Sequence, residues 1–171
     1  GAAASNGHID AMKLLTSYRC PFNKWMAVDA ATSGNLDCLE YALSFFAVWE
    51  IKEVCLRDAA AFGRVHVVKW LLEHASFEFD DVEEACESAV YYGRVDVLEA
   101  LHSSGHEFSN EEHCTSAAER GNVKVLQWLV DHGAVLQAPD LYRCAVEASN
   151  REVAVLRWLA AQPAWDTHSV C

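Results

Sequence analysis

Long apolar runs, basic clusters and closely paired cysteines are all missing from this chain. No apolar stretch approaches the roughly 18 residues of a membrane span, and the opening residues Gly1-Ala2-Ala3-Ala4-Ser5-Asn6 lack the basic region and apolar stretch of a secretory leader. No Asn-x-Ser/Thr sequon occurs. Thirteen Lys and Arg stand against 25 Asp and Glu, a formal net charge of −12, and the basic residues form no run. Phosphate backbones are held by clustered Lys and Arg, so neither nucleic acid nor an anionic membrane surface is an expected partner. A field of this sign keeps a protein soluble and favours the approach of a basic partner.

The seven cysteines are odd in number and have no close spacing, unlike a disulfide framework. Cys86, Cys114 and Cys144 each fall seven residues before Gly93, Gly121 and Arg151. A residue recurring at one phase is set by packing, and free Cys acts as a compact apolar group. A reducing, intracellular and cytoplasmic setting is expected. No Cys-x2-Cys exists, and the one His-x3-His, His102 to His106, straddles Gly105. His113 and Cys114, adjacent on a helix, point about 100° apart, so no metal site is expected. His-Glu-x-x-His, Gly-x-Ser-x-Gly and Gly-x-x-x-x-Gly-Lys are all absent. The expectation is a non-enzyme without cofactors.

What is present is one segment written six times. Gly63 to Leu72 and Gly121 to Val130 are its clearest copies, with looser ones at Gly7, Gly34 and Gly93 and a sixth at Arg151, where the glycine is lost. Start-to-start spacings are 27, 29, 30, 28 and 30 residues, a period that signifies a solenoid or array. After Gly121, apolar residues stand at Val123, Val125, Leu126, Trp128 and Leu129. These gaps of three and four mark one face of a helix. A second glycine twelve residues on, Gly105 or Gly133, is a helix-closing signal. Before the first glycine come alanine pairs, Ala3-Ala4, Ala30-Ala31, Ala59-Ala60 and Ala117-Ala118, which suit close approach of another helix. Ser109 to Glu112 fits a capping box. Cys20-Pro21-Phe22-Asn23, Phe77-Glu78-Phe79-Asp80 and Pro163-Ala164-Trp165-Asp166 each read as an aromatic staple with a capping Asn or Asp leading into a first helix. Each repeat is therefore helix, tight turn, helix, loop, and neighbours must stack to share a core.

Ala117 to Ala134 resembles an ankyrin repeat, following Ala-Ala-x-x-Gly-His-x-x-Val-Val-x-x-Leu-Leu-x-x-Gly-Ala closely, and Ala59 to Ala75 fits nearly as well. The resemblance extends over essentially the whole chain. Two features depart from it. The opening Thr-Pro-Leu-His is absent, with Ala27, Leu56, Cys86, Cys114 and Cys144 at its leucine position, and the period falls below the family's ~33 residues. The resemblance, with those departures, implies an all-α solenoid of stacked helix-turn-helix repeats with short or absent β-hairpin fingers. Residues 1–171 are expected to form a single repeat domain of about five full repeats plus partial ones at both ends, compatible with a piece of a longer array.

In ankyrin-like proteins the residues just before the glycine face a concave groove. Here these are Ser5 and Asn6, Thr32 and Ser33, Ala61 and Phe62, Tyr91 and Tyr92, Glu119 and Arg120, and Ser149 and Asn150. Aromatics and arginine dominate binding hot spots. The expected contact patch is Phe62, Tyr91, Tyr92, Glu119 and Arg120, with Arg64 and Arg94 at its edge; the competing reading is that the aromatics cover gaps left by short fingers. The acidic stretch Glu73 to Glu87 contains no Lys or Arg and reads chiefly as first-turn carboxylates stabilising a helix, a dock for a basic peptide being the alternative. Trp70, Trp128 and Trp158 share one phase and are expected in packing. The function implied is recognition of an unknown protein partner, the alternatives being an architectural spacer or a substrate-targeting segment. A monomer is expected, with end-to-end stacking as a route to association.

Overall fold

The computed structural model describes residues 2–19, 23–45, 51–106, 111–134 and 152–161. Among these the chain is all-α, without strands: α1 (Ala2–Ser5), α2 (Ile9–Ser17), α3 (Trp25–Ser33), α4 (Leu36–Leu43), α5 (Lys52–Ala61), α6 (Val65–His74), α7 (Phe79–Tyr91), α8 (Val95–Ser103), α9 (Glu111–Glu119), α10 (Val123–Asp131) and α11 (Glu152–Ala160). From α1 to α10, odd and even helices form two rows. In the first row α1, α3, α5, α7 and α9 pack each on the next. The second row holds α2, α4, α6, α8 and α10 with α11 against its end, and each of α2, α4, α6, α8 and α10 packs on the first helix of its own repeat.

The helical periodicity becomes the core. Four and five residues after the turn glycine, Val67 and Val68, Val97 and Leu98, and Val125 and Leu126 are fully buried; eight residues after it, Leu71, Leu101 and Leu129 are buried too, as is Leu159, eight residues after Arg151. Leu14 and Leu15 of α2, at the seventh and eighth places, are exposed; among the described residues α2 packs chiefly on α1 and α4. The alanine pairs at Ala30-Ala31, Ala59-Ala60 and Ala117-Ala118 are buried between first helices, as are Ala27, Leu56, Cys86 and Cys114 at the position of the missing tetrapeptide's leucine. Cys144 lies outside the described residues.

The turn glycine answers two demands at once. Gly93 has φ +71°, which disfavours any side chain, and a Cβ there would lie 3.1 Å from Asn122 Oδ1 in the next repeat. That asparagine belongs to a recurring clamp at the position after each glycine. Its Nδ2 donates to the carbonyls of Val90 (3.0 Å) and Tyr91 (3.2 Å), at the C-terminus of the preceding repeat's first helix. Asn35 Nδ2 donates likewise to Ala4 and Ser5, Arg64 Nε to Thr32 (2.7 Å) and Arg94 Nε to Ala61 (3.0 Å). Helix C-termini leave carbonyls without intrahelical partners, and here the next repeat supplies the donors.

The second row is tied by its tryptophans. Trp128 Nε1 donates to Glu99 of the preceding repeat (2.9 Å), and Trp158 Nε1 to Gln127 (2.8 Å). The Trp70 and Trp128 rings each stack on the histidine one turn later, His74 and His132.

The cap of α7 differs from the expectation of a capping Asp80. Glu78 is the N-cap, and its N–H donates to Asp81 Oδ2 at 2.9 Å in a capping box. An aspartate three residues into the helix can return to the cap, so the box forms around Glu78 and leaves Asp80 exposed in the first turn. At α3 the N-cap is Lys24, without a side-chain cap, and the expected Asn23 stands one residue earlier, its Oδ1 accepting the Trp25 N–H at 3.1 Å. The Ser109 box and the segment at Pro163 lie outside the described residues.

Candidate functional site

The C-terminal ends of the first helices lie side by side along one row. Each helix ends at a glycine turn: Phe62 N–H donates to Asp58 O and Gly63 N–H to Ala60 O, and Tyr92 and Gly93 repeat the pattern on Ser88 and Val90. Phe62 and Tyr92 are the C-cap residues themselves. A side chain at that position leaves the helix where the backbone turns away and has no following turn of its own to pack against. Phe62 is 55% exposed, Tyr92 56% and Tyr91 39%. Where the earlier repeats carry Ser5 and Asn6 or Thr32 and Ser33, α5 and α7 thus present three large aromatic rings.

These residues are partly organised among themselves. The Tyr91 and Tyr92 rings meet edge to face at 4.9 Å between centroids. Arg120, from the next repeat, holds its guanidinium carbon 3.4 Å from the Tyr91 ring centroid. Glu119 is exposed beside Arg120. Arg64 and Arg94 are half-buried and commit their Nε groups to the clamp between repeats. Sequence reasoning placed them at the edge of a contact patch and missed this structural task. The signal was available: Asn35, Arg64, Arg94 and Asn122 occupy one phase, and all four side chains carry a donor able to reach a carbonyl. Ser149 and Asn150 lie outside the described residues.

The acidic stretch is largely consumed by local structure. Glu78 and Asp81 form the capping box, Glu84 Oε2 lies 3.6 Å from Arg57 Nη1, and Glu83 Oε1 lies 3.4 Å from His113 Nε2. His113 is 2% exposed and is the one buried polar side chain among the described residues. It stands on α9 where α5 and α7 carry the smaller Cys55 and Ala85.

Among the described residues Cys38, Cys55, Cys86 and Cys114 are buried, and none of them is in a disulfide. Burial pushes the Cys55 thiol up to about 12, helped by Asp58, and the Cys86 thiol also to about 12, helped by Glu83 and Glu87. The Cys38 thiol is raised by burial and by Asp37. Thiols held protonated are poor nucleophiles and poor metal ligands. Among the described residues no group of three or more His, Cys, Asp or Glu is placed to hold a metal ion. His102 Nδ1 instead lies 3.1 Å from the His106 carbonyl. No helix among the described residues is long and apolar enough to cross a membrane.

Comparison with known families agrees with the repeat geometry. Residues 56–102, which run from the middle of α5 nearly to the end of α8, match the family model described as ankyrin repeats (many copies). No curated protein matches the chain.

Proposed function

With ankyrin repeats present in this chain, we propose that it is a protein–protein recognition module. Its contact surface is the row of first-helix ends centred on Phe62, Tyr91 and Tyr92. Ankyrin repeats are generally protein–protein interaction modules and typically non-enzymatic. The observation that carries the reading is the exposure of three aromatic rings on adjacent repeats, at positions where the earlier repeats carry serine, threonine and asparagine. Large rings have two side-chain torsions to lose on binding and much apolar area to bury, which suits them to hot spots. Glu119 and Arg120 extend the surface toward α9. Arg64 and Arg94 act at its edge chiefly by fixing the spacing of the helix ends. A preformed surface loses little conformational entropy on association. The protonated, buried thiols suit a reducing cytoplasm, and the exposed Leu14 and Leu15 of α2 offer a place for end-to-end stacking of an otherwise monomeric unit.

Affinity capture from the native cell extract tests this, using the wild type against the Phe62→Ala/Tyr91→Ala/Tyr92→Ala form after circular dichroism shows both folded. A partner captured by the wild type and lost by the variant supports the contact surface. Equal recovery with both refutes it, and no specific partner for either favours an architectural spacer.

A further inference from the structure

From α4 onward the second helices carry a ladder of rings with one rung missing. Seven residues after each turn glycine, or after Arg151 at the glycine's place, stand Tyr41, Trp70, Ala100, Trp128 and Trp158. Three of the rings take their partner from the preceding second helix, at the position six residues after its own glycine. Trp128 and Trp158 find an acceptor there, Nε1–H donating to Glu99 (2.9 Å) and to Gln127 (2.8 Å). Tyr41 finds a cation, Lys13 Nζ lying 6.0 Å from its ring centroid, and its hydroxyl lies 2.7 Å from Thr16 Oγ1 three residues further on. At the α4–α6 seam Trp70 itself stands in the wall of a cleft, with Glu40, Leu43 and His74.

Ala100 leaves the α6–α8 rung without a ring. The seam opens there as a cleft of about 380 Å3, lined by Lys69, Leu72 and Glu73 from α6 and by Ala100, Ser103 and Ser104 from α8 and its C-cap. Small-ligand sites occupy roughly 300–1,000 Å3. Ala100 is buried and Leu72 half-buried, and they form the apolar part. Lys69 occupies the place that Lys13 holds beside Tyr41, and Leu72 the place from which Thr16 meets the Tyr41 hydroxyl. The two positions therefore offer a cation for the face of a ring. They offer neither the acceptor that an indole uses at this rung nor the hydroxyl that a phenol uses. Glu73 and the two serines form the rim, the serine hydroxyls donating to Glu99 O and Ala100 O (2.7 Å each).

We infer that the α6–α8 cleft receives a phenylalanine side chain from a segment of a partner protein, which completes the ladder. The ring enters beside Ala100 with Lys69 over its face, the attraction of a cation for a ring's negative face holding it there. Glu73 and the serine oxygens accept from the N–H groups of the docked segment. The cleft lies in line with an interface that the chain already builds from rings at the flanking seams, so the occupant is aromatic. Phenylalanine suits it better than tyrosine or tryptophan, because a hydroxyl beside Leu72 or an indole N–H beside Lys69 would lose its hydrogen bond to water without regaining one. This site is on the second helices, apart from the first-helix ends, and its segment is distinct from the partner that those ends meet.

The test titrates the 15N-labelled chain with the peptide acetyl-Gly-Ser-Phe-Ser-Gly-amide and with its tyrosine, tryptophan and leucine counterparts. The inference predicts saturable shifts at the amides of Lys69, Ala100 and Ser104, with the phenylalanine peptide binding tightest and the leucine peptide weakest. Lys69→Gln should weaken binding about two- to fivefold, the worth of an exposed cation over a ring, while Lys124→Gln on α10 leaves it unchanged. Ala100→Phe supplies the missing rung from within and should abolish the shifts; if that variant does not fold, Lys69→Gln carries the test. The triple alanine form of the first-helix ends should bind the peptide as the wild type does. The inference is overturned by an absence of shifts, by any counterpart binding as tightly as phenylalanine, by shifts that persist in folded Ala100→Phe, by a Lys69→Gln form equal to the wild type, or by loss of binding in the triple alanine form. Self-association in analytical ultracentrifugation that Ala100→Phe abolishes would give the cleft to a second copy of the chain and overturn the assignment to a partner.

Discussion

Replacing Asn122 by alanine isolates the clamp that joins one repeat to the next. Asn122 is the N-cap residue of α10, yet its side chain makes no capping hydrogen bond. Both its Nδ2 bonds go instead to Val90 O and Tyr91 O across the seam. The change in stability thus reports the clamp and not helix capping. Each such bond contributes a net ~0.5–1.5 kcal/mol. Val90 is buried, so its carbonyl has little other recourse, whereas water can replace the donor at exposed Tyr91. The expected loss is therefore about 1–2 kcal/mol, or about 3–6 °C in melting temperature for a chain of this size. Asn122→Asp should cost more than alanine, since it sets a carboxylate against two carbonyl oxygens. Urea unfolding followed by circular dichroism measures both. An alanine effect inside the ~0.5 kcal/mol scatter of ordinary surface substitutions, or an aspartate variant more stable than the alanine one, would refute the clamp.

Gly93→Ala should destabilise by more than the ~1 kcal/mol usually assigned to a left-handed backbone, because the new methyl also meets Asn122 Oδ1 at 3.1 Å; thermal melts of the single variant and of Gly93→Ala/Asn122→Ala separate the two costs. Leu101→Ala should cost ~2–5 kcal/mol as a cavity in the core, while Leu15→Ala, at the same repeat phase but exposed, should fall below about 0.5 kcal/mol; equal costs would contradict the assigned direction of stacking. Stability should decline in alkali, with the sign set by the thiols. Cys55 and Cys86 keep their protons up to about pH 12 when folded, while unfolded thiols ionise near ~8.5. The unfolded state therefore holds fewer protons between those values, and each thiol lowers the unfolding free energy by up to ~1.4 kcal/mol per pH unit there. Cys55→Ala/Cys86→Ala should flatten the slope from pH 9 to 12 in a denaturant series; an unchanged slope would show that the buried thiols do not cause it.

Much of the fold was legible because repetition multiplies weak signals. The residues buried after each glycine, the alanine pairs and the cysteines standing for leucine recur at constant phase, so six imperfect copies together identify one packing unit. The clamp was harder to read. Asn35, Arg64, Arg94 and Asn122 differ in size and charge, and what they share is a donor long enough to reach a carbonyl some 30 residues back. Read singly, Arg64 and Arg94 resemble surface contacts. The acidic stretch looked uniform as a sequence, yet the structure divides much of it among a helix cap, an arginine and a buried histidine.

The central claim is that the aromatic ends of α5 and α7 meet a protein partner. Hydrogen–deuterium exchange of the chain, alone and bound to the partner that it captures, tests this most directly. The account predicts added protection at the turns around Phe62, Tyr91, Tyr92 and Arg120, with the exposed faces of α6, α8 and α10 unchanged. Protection confined to those second helices, with none at the first-helix ends, would contradict it.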